Sequence, residues 1–227
     1  MRKVANMMPK LQAKALSIFA DITCMTPART DKLLRVLKTR QCDLTVVLEN
    51  VLDPHNVSAV MRTCDAVGVQ DLHILSTRVA RPKNWGFKSS SSASKWLTIH
   101  YHESATDCIV QLRKRYSRIL CADAGEQALD LYAEDLTQPT AIIFGNELEG
   151  VGEDTRLLCD GILSIPQTGI IHSLNISVAC AVILYEAYRQ KKLAGHYKRD
   201  DLSLPEKQQL QELWGIRTSE AGEKLSK

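Results

Sequence analysis

Residues 140–150, TAIIFGNELEG, join an apolar run to a polar turn and indicate the fold class of this chain. An apolar run without polar alternation is typical of a central strand in a parallel sheet, which is buried on both faces. The glycines at 145, 150 and 152 allow backbone conformations closed to other residues and a close approach to a ligand. Asn146 and Glu147 would then lie at the carboxyl end of a parallel strand, where α/β sheets bind ligands. An ordinary strand-to-helix turn would have the same pattern.

Predicted strands and helices alternate on both sides of this segment. Apolar or alternating runs predict strands at residues 44–48, 71–75, 96–101, 118–122 and 161–166. Helical periodicity predicts helices at residues 28–41, 57–66, 103–116 and 175–192. This alternation predicts an α/β fold with a largely parallel sheet. The polar residues 77–95, which include a serine run, are expected to form a mobile loop.

Residues 56–62, NVSAVMR, begin the second predicted helix. Asn56 is its candidate N-cap and Gly68 its candidate C-terminal stop. Long helical side chains lean toward the N-terminus, so Arg62 is expected to project toward the end that Asn56 caps. Ser58 shares the face of Arg62, and four other side chains can face inward: Val57, Val60, Met61 and Cys64. An amphipathic helix with one exposed arginine has the same pattern, so this segment alone does not identify a site.

Residues 165–177, IPQTGIIHSLNIS, join the last predicted strand to the long last helix. Gly169 allows a tight turn, and Ser173 and Asn175 lie where the helix begins. The open backbone amides of such a loop and helix start suit a small polar ligand. Plain capping of the helix by Asn175 is the alternative explanation.

Composition and motifs exclude several classes of protein. The 227 residues are 44% hydrophobic and 24% charged, as expected for one globular domain with appendages. No apolar run approaches the roughly 20 residues of a membrane-spanning helix. The phosphate-loop and dinucleotide glycine motifs are missing from the sequence. Seven cysteines without a C-x-x-C pair argue against a zinc site or a disulfide framework, and they favour a reducing cytoplasm.

The net charge of +3 is unevenly distributed. Residues 1–43 hold nine Lys and Arg against three Asp and Glu, and residues 187–227 hold nine against six. The intervening residues 44–186 hold eleven against seventeen. Basic ends around an acidic middle suggest a polyanionic partner that the terminal segments meet. Solvated faces of two surface helices would give the same distribution, so charge alone does not establish a nucleic-acid partner.

Taken together and in this order, the three segments resemble the SpoU/TrmH family of RNA ribose methyltransferases, within the larger SPOUT superfamily. The resemblance rests on NVSAVMRTCDAVGV, which contains Asn56 and Arg62, and on FGNELEG, which contains Glu147. It rests equally on HSLNISVACAVILYE, which contains Ser173 and Asn175. The pattern of DLTV followed by PHN within residues 40–56 strengthens it, and the resemblance covers residues 28–200, most of the chain.

The resemblance implies a SPOUT-type α/β domain with a parallel sheet and a C-terminal deep trefoil knot, flanked by basic N- and C-terminal helices. The chain would consist of four segments: an N-terminal extension that could be disordered at residues 1–27, a basic RNA-binding helix at 28–43, the methyltransferase domain at 44–193 and a basic, polar tail at 194–227. Two subunits would combine to build the active site of a homodimer. Neither membrane association nor a metal ion is expected.

The implied activity is transfer of the methyl group of S-adenosylmethionine (SAM) to a ribose 2′-hydroxyl of tRNA, with guanosine-18 in the D-loop as the expected nucleotide. Ribosomal RNA as the substrate, and RNA binding without catalysis, are the alternatives. By position, the family's catalytic residues correspond to Asn56, Arg62, Glu147, Ser173 and Asn175. The SAM-contacting residues correspond to Ala122, Gly145, Ile165 and Leu174, and the tRNA-contacting residues to Arg29, Lys32, Arg40, Arg189, Lys191 and Arg199.

In this family Arg62 would be the base that removes the hydroxyl proton. An arginine stays protonated in ordinary surroundings, because its pKa lies above about 12. We therefore expect Arg62 chiefly to orient the hydroxyl and to stabilise developing negative charge. A role as base would need help from a bound RNA phosphate.

Overall fold

The computed structural model describes residues 25–78, 93–125, 127–171, 173–200 and 202–216. The chain divides into two compact units, one of residues 38–201 and one that joins the N-terminal part up to residue 37 to the part from residue 202. Most of the predicted N-terminal extension and most of the loop predicted at 77–95 lie outside the described residues. Within the described ranges, no helix is long and apolar enough to cross a bilayer.

A seven-stranded sheet forms the centre of the unit of residues 38–201. Its strands are β1 (Leu44–Glu49), β2 (Asp71–Leu75), β3 (Thr98–His102), β4 (Arg118–Ala122), β5 (Leu129–Asp130), β6 (Thr140–Phe144) and β7 (Gly161–Ser164). They lie in the order β3-β2-β1-β6-β4-β7-β5, and every neighbouring pair is parallel. The predicted α/β fold with a parallel sheet is confirmed, and β6 lies at its centre.

Two strands are shorter than predicted and one was not predicted. β3 begins at Thr98 rather than at residue 96, because the Trp96 amide donates to the Ala93 carbonyl in a short 3-10 turn. β7 ends at Ser164 rather than at Pro166, which has no amide hydrogen for a further ladder bond. β5 has two residues, which is too short to produce an alternating pattern.

The helices of the described part are α1 (Pro27–Leu37), α2 (Pro54–Val67), α3 (Ala105–Leu112), α4 (Glu153–Arg156), α5 (Ile176–Leu193) and α6 (Leu204–Leu213). α1 and α6 belong to the smaller unit. α2 ends at Gly68, whose left-handed φ of 86° matches the predicted stop. α5 agrees with the predicted long helix, and Asn175 caps it as predicted. α3 occupies only the middle of its predicted range, because Ser104 caps its start and tight turns follow Leu112.

The basic helix predicted at residues 28–41 is α1, which ends at Leu37. It cannot continue to residue 41, because Gln41 forms a parallel β-bridge with Val69. α1 buries Leu33 and Leu37 and contains three basic residues and one acidic residue. α6, in contrast, contains one lysine and two glutamates, so the C-terminal helix is not basic.

Apolar side chains on the two faces of the sheet form separate clusters. One contains Leu44, Val46 and Leu48 of β1 together with residues of α2 and α5. The other contains Val47 of β1 together with residues of α3. Alternate residues of β1 thus pack on opposite faces, as in any strand buried on both sides. The two clusters hold the sheet in place from both faces, and polar loops follow the strands at its edge.

Candidate active site and cofactor cavity

A cavity of about 570 Å³ opens at the carboxyl ends of β4, β6 and β7. Three loops line it: those that follow β4 and β6, and the one that joins β7 to α5. The residues expected to contact a cofactor all lie in its wall: Ala122, Gly145, Ile165 and Leu174. Three of the expected catalytic residues line it as well: Glu147, Ser173 and Asn175.

The loop after β6 is a tight turn whose two arms are in contact. Asn146 and Gly150 exchange two backbone hydrogen bonds, of 2.9 and 2.8 Å, and Gly150 has a left-handed φ of 70°. A Cβ atom at Gly145 would lie 2.0 Å from the carbonyl carbon of Gly150, so no side chain fits there. The Leu148 amide donates to Asn146 Oδ1 at 2.8 Å and closes the turn further. Glu147 is exposed at the tip of this turn.

Hydrogen bonds join all three predicted segments at the rim of the cavity. Asn56 Nδ2 donates to Glu147 Oε1 at 2.8 Å, and Asn175 Nδ2 donates to Asn56 Oδ1 at 3.1 Å. Asn175 Oδ1 in turn accepts from the amide of Ser177 at 2.9 Å and from its hydroxyl at 2.6 Å. A carboxylate can only accept hydrogen bonds, so this chain of contacts fixes the orientation of the Asn56 amide.

Asn56 can take part in this network because it does not cap α2. The N-cap is Asp53, whose side chain accepts a hydrogen bond of 2.8 Å from the His55 amide. Pro54 occupies the first turn, where its missing amide hydrogen is not needed. The prediction of Asn56 as the N-cap was therefore wrong, because the proline after Asp53 places the helix start earlier. Asn56 lies buried in the first turn with its amide in the site.

Arg62 does not reach the cavity of its own chain. Its side chain is exposed and forms no hydrogen bond or ion pair with another described residue. A helix turns by about 100° per residue, so Arg62 lies roughly 120° around α2 from Asn56. A lean toward the helix start does not offset that rotation. The expected gathering of Arg62 with Glu147 is therefore not found within one chain.

The wall of the cavity is more acidic than basic. Its side chains include three carboxylates and one guanidinium: Asp123, Glu147, Glu149 and Arg156. Arg156 is ion-paired with Asp123, and Glu149 is ion-paired at 2.8 Å with the exposed Arg78. Glu147 is held by the uncharged amide of Asn56, a contact that leaves its negative charge in place. Such a wall suits a ligand that has a positive charge.

Glu49 supports the far end of the same loop, and sequence reasoning missed it. Its carboxylate is 2% exposed and accepts from the Gly152 amide at 2.8 Å and from the Thr155 hydroxyl at 2.6 Å. These bonds hold the start of α4 against the end of β1. The signal in the sequence was a glutamate at the end of an apolar strand, because a buried carboxylate needs partners. Asp123 and Arg156 were missed as well and had no comparable signal.

Two of the basic residues expected to contact RNA are buried. Arg40 is 2% exposed and pairs with Asp65 at 2.6 Å, and Lys191 is 0% exposed and pairs with Asp43 at 2.9 Å. A phosphate in solution cannot reach either side chain, so both expectations are corrected to internal ion pairs. The remaining four residues of that set are exposed: Arg29, Lys32, Arg189 and Arg199.

Residues 43–185 match the SpoU rRNA Methylase family. This range contains the whole sheet and the lining of the cavity, and the chain therefore belongs to the SpoU methylase family. The tRNA (guanosine(18)-2'-O)-methyltransferase of Thermus thermophilus is 43% identical over 178 residues, which are 78% of this chain and 90% of that protein. The 23S rRNA (guanosine-2'-O-)-methyltransferase RlmB of Haemophilus influenzae is 30% identical over 77% of this chain and 71% of its own length.

Solved structures of the same family have the same fold. The TrmH/SpoU tRNA modifying enzyme of A. aeolicus superposes with a TM-score of 0.77 at 34% identity, over 83% of this chain and 95% of that one. The SpoU methyltransferase AviRb of Streptomyces viridochromogenes, in complex with the cofactor AdoMet, superposes with a TM-score of 0.60 at 27% identity. The latter match covers 68% of this chain and 59% of AviRb.

Proposed function

We propose that the protein transfers the methyl group of SAM to the ribose 2′-hydroxyl of guanosine-18 in the D-loop of tRNA. The proposal rests chiefly on the hydrogen bonds that run from Glu147 through Asn56 to Asn175 at the rim of the cavity. They bring the three segments of the methyltransferase pattern to one place. The name of the 43% identical relative from Thermus thermophilus supports this nucleotide.

The chemistry of the cavity fits SAM. Apolar side chains such as Phe144, Ile165 and Leu174 suit the adenine ring, and the excess of carboxylates suits a cationic ligand. The turn at Gly145 lets backbone groups approach the ligand closely. When bound, SAM supplies an electrophilic methyl group on a good leaving group. We infer that Ala122 and Gly145, together with Ile165 and Leu174, hold it largely through backbone groups.

The residues at the rim are proposed to hold the nucleotide. The reaction needs the 2′-hydroxyl to be positioned and its proton to be removed. Ser173 and Asn175 are exposed at the start of α5, and Glu147 presents a carboxylate that can accept a hydrogen bond from the substrate. Arg62 is proposed to orient the hydroxyl and to stabilise developing negative charge. It acts as a base only if a bound RNA phosphate assists it.

Two subunits are proposed to complete each site. In its own chain Arg62 does not line the cavity, and its side chain is exposed. In a symmetric dimer, each subunit could supply its Arg62 to the cavity of the other. The separation of Arg62 from Glu147 within one chain supports such sharing, because one reaction is expected to need both.

The C-terminal part of the methyltransferase domain is proposed to form a deep trefoil knot. Support comes from the strand order, in which β7 lies between β4 and β5 although those two strands are consecutive in the chain. Membership of the SpoU family supports it further. In this proposal the loops of the knot are the ones that line the cavity, so knotting would hold the SAM site rigid.

The basic segments are proposed to grip the phosphates of tRNA. In this organisation, residues 28–43 and 194–227 flank the methyltransferase domain at 44–193, after an extension at 1–27. The exposed side chains of Arg29, Lys32, Arg189 and Arg199 are the candidates for direct contacts. Affinity for tRNA should fall steeply with rising salt concentration, because phosphate contacts release counterions. We place the protein in the cytoplasm, since the six cysteines of the described part are free thiols.

Ribosomal RNA is the second candidate substrate, supported by the 30% identical relative RlmB. To separate the tRNA and ribosomal RNA candidates, the protein is incubated with SAM and total RNA from cells that lack the ribose methylation in question. Mass spectrometry of nuclease fragments then locates the added methyl group. Methylation confined to ribosomal RNA would overturn the choice of tRNA, and SAM binding without any methylation would favour a non-catalytic RNA-binding protein.

A further inference from the structure

Asn50 follows β1 directly and has an unusual backbone conformation. It alone among the non-glycine residues of the described part has a positive φ, of 52°. This left-handed region is costly for residues with a side chain, although asparagine tolerates it better than most. A residue persists there only when its neighbours hold it in place.

The side chain of Asn50 is bonded to the loop that follows β2. Its Oδ1 atom accepts from the amides of Thr77 at 3.0 Å and of Arg78 at 3.1 Å, and its Nδ2 atom donates to Thr77 Oγ1 at 2.9 Å. The backbone amide of Asn50 donates to the carbonyl of Leu75 at 2.8 Å. These four bonds fix the orientation of the residue relative to the end of β2.

The backbone carbonyl of Asn50 is bonded instead to the turn at the cavity. It accepts from Asn146 Nδ2 at 2.8 Å, while Asn146 Oδ1 accepts from the Leu148 amide at 2.8 Å. In the chain, Glu147 lies between Asn146 and Leu148, and its side chain is bonded to Asn56. The backbone conformation of Asn50, with its left-handed φ, therefore affects the position of the turn that presents Glu147.

We propose that Asn50 is a positioning residue of the methyl transfer site, which clamps the turn at residues 145–150 to the loop after β2. It does not line the cavity, and it acts through Asn146 on Glu147 and on the backbone that faces the cofactor. The inference rests on the proposed function. Asn50 contributes through its backbone carbonyl as much as through its side chain.

Three substitutions separate the contribution of the Asn50 backbone conformation from that of its side-chain hydrogen bonds. Asn50→Asp keeps an acceptor for the amides of Thr77 and Arg78 and tolerates the left-handed region, so its turnover should stay near that of the wild type. Asn50→Gly keeps the conformation but loses the side-chain bonds. Asn50→Ala loses both, and its kcat/KM for tRNA should fall by ~10- to 100-fold, because small misplacements of reacting groups are costly.

Thr45→Val is the matched control for loss of stability. It removes a partly buried hydrogen bond of 2.7 Å to the Asp71 carbonyl near the other end of β1. Its melting temperature should fall without a fall in kcat, whereas Asn50→Gly and Asn50→Ala should lower kcat at saturating tRNA while they remain folded. A kcat for Asn50→Ala equal to that of the wild type would overturn the inference.

A double-mutant cycle with Asn146→Ala tests the route of the effect. If Asn50 acts through Asn146, the double variant Asn50→Ala/Asn146→Ala should be hardly slower than the slower single variant. Effects that multiply would show that Asn50 acts independently, and they would contradict the proposed clamp.

SAM calorimetry distinguishes failure of the inference from failure of the proposed function. If the wild type binds SAM but transfers no methyl group, the function fails, while weaker SAM binding by Asn50→Ala, but not by Thr45→Val, would still support the clamp.

Discussion

The orientation of one amide, that of Asn56, determines how the three loops meet at the site. Its nitrogen donates to Glu147 and its oxygen accepts from Asn175, at 2.8 and 3.1 Å. An isosteric side chain without a donor cannot serve both neighbours. The site is therefore sensitive to a change of polarity at this residue even when the shape of the side chain is kept.

Asn56→Asp should destabilise the protein by about 1–3 kcal/mol, because a second carboxylate would face that of Glu147 and one group would remain without a partner. Adding Glu147→Gln restores a donor opposite the new carboxylate, and the double variant should recover most of the lost stability. Urea unfolding of the wild type, both single variants and the double variant measures this coupling. Strictly additive free energies of unfolding would show that the contact does not connect the two loops. Methylation assays on the same proteins report separately whether catalysis needs the charge of Glu147.

At the scale of strands and helices, the sequence predicted most of the sheet and the correct loops. The apolar run of β6 is sufficient by itself to predict that strand, and its ends agreed closely with the structure. Asn56 was misassigned as a cap because Asp53, which caps the helix, lies only three residues earlier and was not considered, although the proline after it marks the helix start. The hydrogen bond to the Asn50 carbonyl could not be predicted, because its donor Asn146 lies 96 residues further along the chain.

The turn after β6 should fail if its first glycine acquires a side chain. In Gly145→Ala the new Cβ would lie 2.0 Å from backbone atoms of Gly150, so the turn must open and SAM binding should be lost. Gly169→Ala is the matched control, because nothing lies within 4 Å of a Cβ there. Calorimetric titration with SAM compares the two variants. Wild-type affinity in Gly145→Ala would contradict the role given to this turn.

Strands β2 and β3 are joined by a cluster of histidines that predicts a pH dependence of stability. His73 Nδ1 lies 2.9 Å from His102 Nε2, and the His73 ring stacks on that of His100. Burial, followed by the neighbouring imidazoles, lowers the pKa of His73 to about 3. Asp71, which is bonded to His100 at 2.8 Å, opposes this shift.

The folded state thus resists a proton that the unfolded state accepts below about pH 6.5. Stability should therefore be complete above that pH and should fall as the pH decreases toward 3, with a slope of up to about 1.4 kcal/mol per pH unit from this residue. His73→Gln keeps a neutral hydrogen-bonding side chain and should flatten the curve of unfolding free energy against pH between 4 and 6.5. Parallel curves for the two proteins would assign the acid sensitivity to other groups.

For the whole molecule, the proposed sharing of each site by two subunits predicts complementation between variants, because Arg62 does not line the cavity of its own chain. Arg62→Ala and Glu147→Gln should each abolish most methyl transfer when every subunit carries the same substitution. In randomly mixed dimers half are heterodimers with one intact site each, so activity should return to about a quarter of that of the wild type. Subunits that are mixed by co-expression and assayed at equal total concentration test this. No recovery of activity would mean that each chain completes its own site.

Two tRNA transcripts that differ in a single oxygen atom test the proposed methylation of the guanosine-18 ribose. One has an ordinary guanosine at position 18, and the other has 2′-deoxyguanosine there. With radiolabelled SAM, the wild-type protein should label the first transcript at that nucleotide and leave the second unlabelled. Label on the deoxy transcript, or label on the first transcript at a base or at another ribose, would contradict the claim that this site methylates the ribose of guanosine-18.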